Sequence, residues 1–234
     1  APSAAAAAAA ATGSAAAGEG GPWGGRRTLL FFHGALCWKI YDKVDGMAAM
    51  ARKCRRMEGF LNNYAFGVRY EVYRLHKDEP GFNLRATDLR PPPPNANLDD
   101  LTRGATFCLC PSGTGWGMRA FHAVALGCIP VIIQDDGSGS YPSVLQAFEG
   151  PLLDWASLAV RLTFADIPRL PSLLRALAAD HEALAAKRRA LVAALPRLLW
   201  REALATEERR ALDAMPDAFD SVMEVLAGRR NATR

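Results

Sequence analysis

Residues Phe107–Asp136 read FCLCPSGTGWGMRAFHAVALGCIPVIIQDD. Thr106–Cys110 is a short apolar run and Pro111–Gly117 a glycine-rich loop. Met118–Leu126 follows a helical pattern ended by Gly127, and Ile129–Ile133 is a second apolar run. The order strand, loop, helix, strand is a βαβ unit. Such a unit joins parallel strands, so the expected class is α/β with a parallel sheet and flanking helices.

The flanks extend this reading. Order is expected from Arg26 onward, with Thr28–Phe32 as a buried strand that turns at His33 and Gly34. Asp42–Met57 has helical spacing, with Arg52, Lys53, Arg55 and Arg56 near its end, where cations suit the helix dipole. Phe66–Leu75 (FGVRYEVYRL) is aromatic and β-branched, which predicts a strand. Pro91–Pro94 marks a rigid polyproline stretch in a polar loop. Val160–Leu162 is one more short strand. From Ile167 leucines recur at helical spacing, and Pro196 and Pro216 are expected to divide this region into separate helices. The expected organisation is a low-complexity leader over residues 1–25, a folded domain over 26–200 and a helical tail over 201–234.

The chain has 234 residues, 50% hydrophobic and 22% charged, with a net charge of +4. That is ordinary globular composition. No basic stripe with interleaved aromatics is present, so nucleic acid is not an expected partner. No segment reaches about 18 uninterrupted apolar residues, so any membrane anchor is expected outside this chain. A start at Ala1 rather than Met reads as a processed or partial chain. The five cysteines are Cys37, Cys54, Cys108, Cys110 and Cys128. None falls at zinc-ligand spacing. Cys108 and Cys110 lie two apart on a predicted strand and read as buried apolar thiols. The sequon Asn231-Ala232-Thr233 gives weak support for a secretory route.

A glycine-rich turn between a parallel strand and a helix lets backbone N–H groups approach an anion. Ser112, Gly113, Thr114, Gly115 and Gly117 form that loop, and Arg119 could add a charge-assisted bond to phosphate. The second strand ends at Gln134-Asp135-Asp136. Ligands of open α/β sheets sit at the carboxyl ends of strands, so Asp135 and Asp136 are candidates to accept sugar hydroxyls. A Walker A loop is excluded, because Gly117-Met118-Arg119 lacks Gly-Lys-Ser/Thr. In the GxGxxG/A dinucleotide pattern the third small position is filled by Met118. A GxSxG nucleophile elbow is absent. Each residue also has a bland reading. Arg119 alone suits a surface cation, His122 a satisfied core histidine, the two aspartates a solvated turn, and Asp154 the cap of a helix begun at Trp155.

Taken together, Phe107–Gly113, Arg119 and Gly127–Ile133 resemble the exostosin-like glycosyltransferases. Leu29–Gly34, Leu153-Asp154-Trp155 and Asp166-Ile167-Pro168 agree in order with that family, and the resemblance covers roughly 26–200. It implies a Rossmann-like domain forming one half of a GT-B fold, the half that binds the nucleotide sugar. The implied reaction is inverting transfer of a hexosyl or pentosyl group from a nucleoside diphosphate to a glycan or glycoprotein acceptor. No cofactor is required, though a divalent metal is compatible. The implied donor site comprises the 112–117 loop, Arg119, His122, Asp135 and Asp136. At the place of His122 many members carry Glu; a neutral histidine can accept one hydrogen bond and donate one. No catalytic base is assigned. The implied location is the Golgi lumen, as a type II membrane protein in full length. Two other readings remain: a non-catalytic nucleotide- or glycan-binding domain of the same family, and an NAD-dependent oxidoreductase, which Met118 argues against.

Overall fold

A computed structural model describes residues 25–37, 42–55, 64–113, 118–135, 145–212 and 214–232. Its strands are β1 (Thr28–Gly34), β2 (Val44–Asp45), β3 (Phe82–Ala86), β4 (Leu89–Arg90), β5 (Ala105–Leu109), β6 (Ile129–Ile132) and β7 (Val160–Arg161). Its α-helices are α1 (Gly46–Arg55), α2 (Val68–His76), α3 (Leu98–Arg103), α4 (Arg119–Ala125), α5 (Trp155–Leu158), α6 (Leu170–Ala179), α7 (His181–Leu198), α8 (Thr206–Ala211) and α9 (Ala218–Ala232). The five-stranded sheet has the order β3-β1-β5-β6-β7 and all its pairings are parallel. β2 and β4 form a separate parallel pair. The chain is therefore α/β and Rossmann-like, as half of a GT-B fold would be.

The expected βαβ unit is β5-α4-β6. Every residue of β5 and β6 is buried. Both faces of these strands are thus covered, which is why they read as continuous apolar runs rather than alternating ones. The core includes Leu30, Phe32, Phe107, Ile129, Ile132 and Trp155. The Trp155 indole N–H donates to the Ala147 carbonyl at 2.8 Å, so this large ring is buried without an unmet donor.

Three expectations are corrected. Phe66–Leu75 is not a strand: most of it is helix α2, whose buried residues are Val68, Arg69, Val72 and His76. Spacings of four between Val68, Val72 and His76 mark one helical face, and the parallel strands β1 and β3 need a crossover between them. That tertiary demand overrides the β propensity of the aromatic and β-branched residues. Cys108 is not a thiol but forms a disulfide with Cys128, at a Cα separation of 5.8 Å. A second disulfide joins Cys37 to Cys54. Cys110 alone is free and buried. Pro196 does not break the helical region; it lies in the last turn of α7, two residues before its end. The division falls instead at Asp180, whose carboxylate accepts from the Ala183 N–H at 2.9 Å and starts α7.

The helix expected over 42–57 begins later, at Gly46, because Val44 and Asp45 pair with β4. Residues 1–24 of the leader expected over 1–25, and Thr233 of the sequon, lie outside the described residues. In the tail, α9 packs back on α7, where Arg197 pairs with Glu224 at 3.1 Å.

Candidate functional site

From β1 the chain passes to β3 on one side and later to β5, β6 and β7 on the other. The strand order therefore reverses between β1 and β5. The carboxyl ends at such a reversal border the crevice where open α/β sheets bind ligands. Here those ends are His33-Gly34-Ala35 and Cys110–Gly113.

Two arginines meet over one ring at this point. The Arg119 guanidinium, from the first turn of α4, lies 5.2 Å from the Phe32 ring centroid. A Cβ built at Gly34 would sit 2.6 Å from Arg119 Nη2. The missing side chain at 34 is thus what lets the guanidinium reach across. Among the described residues Arg119 makes no ion pair or hydrogen bond. Arg69, from α2, is 4% exposed, and its carbon Cζ lies 5.8 Å from the same ring centroid. Its Nε and Nη2 donate to the Ser112 carbonyl at 3.3 and 2.9 Å, and its Nη1 donates to the Ala35 carbonyl at 3.3 Å. One buried cation therefore ties the loop after β5 to the loop after β1.

The loop after β1 is held from below as well. Asp88, fully buried, accepts from the Leu36 N–H at 2.9 Å and the Cys37 N–H at 3.3 Å, and pairs with Lys53 at 2.9 Å. The frame around the crevice is therefore built from α1, α2 and the turn before β4.

Two buried polar atoms at the crevice have no hydrogen-bond partner among the described residues: Ser112 Oγ and His33 Nδ1. Buried polar groups are normally satisfied, and an orphan invites a functional explanation. Burial first, then the neighbouring cations Arg119 and Arg85, lowers the pKa of His33. Burial pushes the Cys110 thiol up to about 12 against the pull of Arg119, so it stays neutral.

The remaining site candidates fall into place unevenly. His122 is not a core histidine: its ring nitrogen meets Asp99 Oδ1 at 3.0 Å, with both side chains about half exposed. This is a surface pair between α3 and α4. Asp135 accepts the Phe164 N–H with both oxygens, at 2.8 and 3.1 Å. Its carboxylate anchors the turn Phe164–Arg169 to the end of β6. Asp154 caps α5 through the Ala156 N–H at 2.9 Å, as the sequence suggests. Thr114, Gly115, Gly117 and Asp136 lie outside the described residues.

Sequence reasoning missed Arg69, His33 and Arg85. Arg69 was hidden because its stretch reads as a strand. Read with helical spacing, it is a charged residue beside the buried positions 68 and 72, and that misfit is the signal. Chemically the crevice offers the Arg119 guanidinium, partly removed from water and without a carboxylate partner among the described residues, and this suits an anion such as a diphosphate. Among the described residues no group of three His, Cys, Asp or Glu could hold a metal ion, and no helix is long and apolar enough to cross a membrane.

Comparison with known proteins gives the family. "Probable glucuronosyltransferase GUT1" of Oryza sativa subsp. japonica is 37% identical over 112 residues, covering 47% of this chain and 24% of the relative. A second probable glucuronosyltransferase of the same plant is 34% identical over 119 residues, covering 50% of this chain and 25% of the relative. "Probable beta-1,4-xylosyltransferase IRX10" of Arabidopsis thaliana is 36% identical over 112 residues, covering 47% and 24% respectively. The matched stretch thus spans about a quarter of these relatives. Residues 15–177 match the family described as Exostosin GT47 domain, well over half of the chain. The chain belongs to the exostosin GT47 family.

Proposed function

We propose that this chain is the donor-binding half of a glycosyltransferase, which takes a nucleoside-diphosphate sugar and transfers the sugar, with inversion, to a glycan or glycoprotein acceptor. The observation that carries the reading is Arg119. Its guanidinium reaches the switch-point crevice past Gly34 with no carboxylate partner among the described residues. The loop at Ser112 and Gly113 is clamped beside it by Arg69. A leaving diphosphate there would be stabilised by preset cations and donors, with a divalent metal compatible but not required. The relatives' names carry glucuronosyl and xylosyl groups, so glucuronic acid and xylose are the first sugars to test.

Two disulfides suit an oxidising compartment. They suit the Golgi lumen as the site of action.

The test is calorimetric titration with UDP, GDP and NADH in parallel, with and without manganese. Saturable binding of UDP is expected. Binding of NADH but not of UDP would overturn the proposal. Arg119→Ala is expected to weaken UDP binding by about 1–3 kcal/mol, the range for losing a charge-assisted bond in a shielded site. Unchanged affinity in a folded variant would remove Arg119 from the phosphate role.

A further inference from the structure

His33 closes β1 at the switch point, one residue before Gly34, the position that Arg119 passes. Its Nδ1 is buried and has no hydrogen-bond partner among the described residues. The same holds for Ser112 Oγ on the facing loop after β5. Such orphans cost free energy unless something answers them. A ligand with acceptor oxygens would answer the His33 N–H. The charges bearing on the ring are both positive: Arg119 from α4 and Arg85 from β3. Arg85 is held in place by Asn83 Oδ1 at 3.0 Å. Arg69 from α2 is committed to the Ser112 and Ala35 carbonyls, and the Cys110 thiol is neutral.

We propose that His33 is a binding residue for the donor diphosphate, taking up a proton as the nucleotide sugar binds and donating from Nδ1 to a phosphoryl oxygen. This rests on the reading of the crevice as a nucleotide-sugar site. In the free protein, burial and the two arginines favour the neutral ring. A bound diphosphate brings negative charge that offsets both cations and gives the N–H an acceptor, so the charged ring becomes favoured. Affinity then rises as pH falls through the histidine range.

The probe is UDP-xylose, whose diphosphate is esterified at both ends and does not itself titrate between about pH 5.5 and about pH 8. Calorimetry in two buffers of different ionisation enthalpy reads the protons taken up by the wild-type chain. Proton uptake is expected, with affinity rising several-fold from about pH 8 to about pH 6. In His33→Gln, checked for folding by its melting curve, both the uptake and the pH dependence should disappear. Uridine, which lacks the phosphates, should show neither. Binding of UDP-xylose without proton uptake, or an unchanged pH slope in His33→Gln, overturns the role of His33 and leaves the nucleotide-sugar reading standing. A proton-linked response to uridine also overturns it. Failure of UDP-xylose to bind at any pH overturns both.

Discussion

At the scale of single residues, the crevice depends on one absent side chain. Gly34→Ala would place a methyl 2.6 Å from Arg119 Nη2. That atom is the far end of a flexible side chain, so the guanidinium should move and the strand should stay. The expected result is a fold destabilised by no more than about 1–3 kcal/mol, the overpacking range, with a clear loss of UDP affinity. Equal affinity in wild type and variant would show that the guanidinium does not need this path. His33 makes a separate prediction about the free protein. Its folded pKa lies below its unfolded value, near 6.5. The stability that comes from keeping the ring neutral is therefore intact above about pH 6.5 and is lost as pH falls towards the folded pKa. Urea midpoints measured at about pH 7.5 and about pH 5.5 should fall more in wild type than in His33→Gln.

At the scale of elements, β5-α4-β6 is closed on itself by the Cys108–Cys128 disulfide, with the glycine loop inside the closed segment. Its sequence separation of 20 corresponds to about 3 kcal/mol of stabilisation in the chain-entropy view. The double replacement Cys108→Ala with Cys128→Ala should therefore lower unfolding free energy by about that amount, measured by urea titration. The buried Asp88–Lys53 pair makes a sharper prediction. Asp88→Ala leaves Lys53, with a side chain 10% exposed, without its partner, at an expected cost of about 3–5 kcal/mol. A loss below about 1 kcal/mol would show that the pair behaves like a surface one. These elements were unequally legible in the sequence. β1, β5 and β6 were plain because interior parallel strands are uninterrupted apolar runs. Helix α2 was not, because Tyr70, Val72 and Tyr73 favour strands locally and only the crossover requirement makes them helical. β3 was missed because FNLRA is a short, half-buried edge strand with no apolar run. The disulfide was missed because it depends on register: β5 and β6 pair with Cys108 opposite Pro130, which brings Cys128 alongside. In the site, Arg119 and Ser112 were legible from the loop pattern. Arg69 and His33 were not, because their roles come from elements remote in sequence that meet only at the switch point.

At the scale of the whole molecule, two disulfides close separate segments, one under the loop after β1 and one across the βαβ unit. Each contributes about 3 kcal/mol, against a total of about 5–15 kcal/mol for an ordinary domain. Strong reductant should therefore remove a large share of the stability, lowering the melting temperature well beyond the shift of either single-bridge variant. A melting temperature insensitive to reductant would show that the parallel sheet and its helices suffice alone. The contact between Gly34 and Arg119 also bears on how such a chain can drift over generations. A side chain gained at 34 closes the path of the guanidinium, and once that path is closed an arginine at 119 has little left to preserve it. The two positions, far apart along the chain, are therefore expected to be inherited as a unit, each setting which mutations the other can accept.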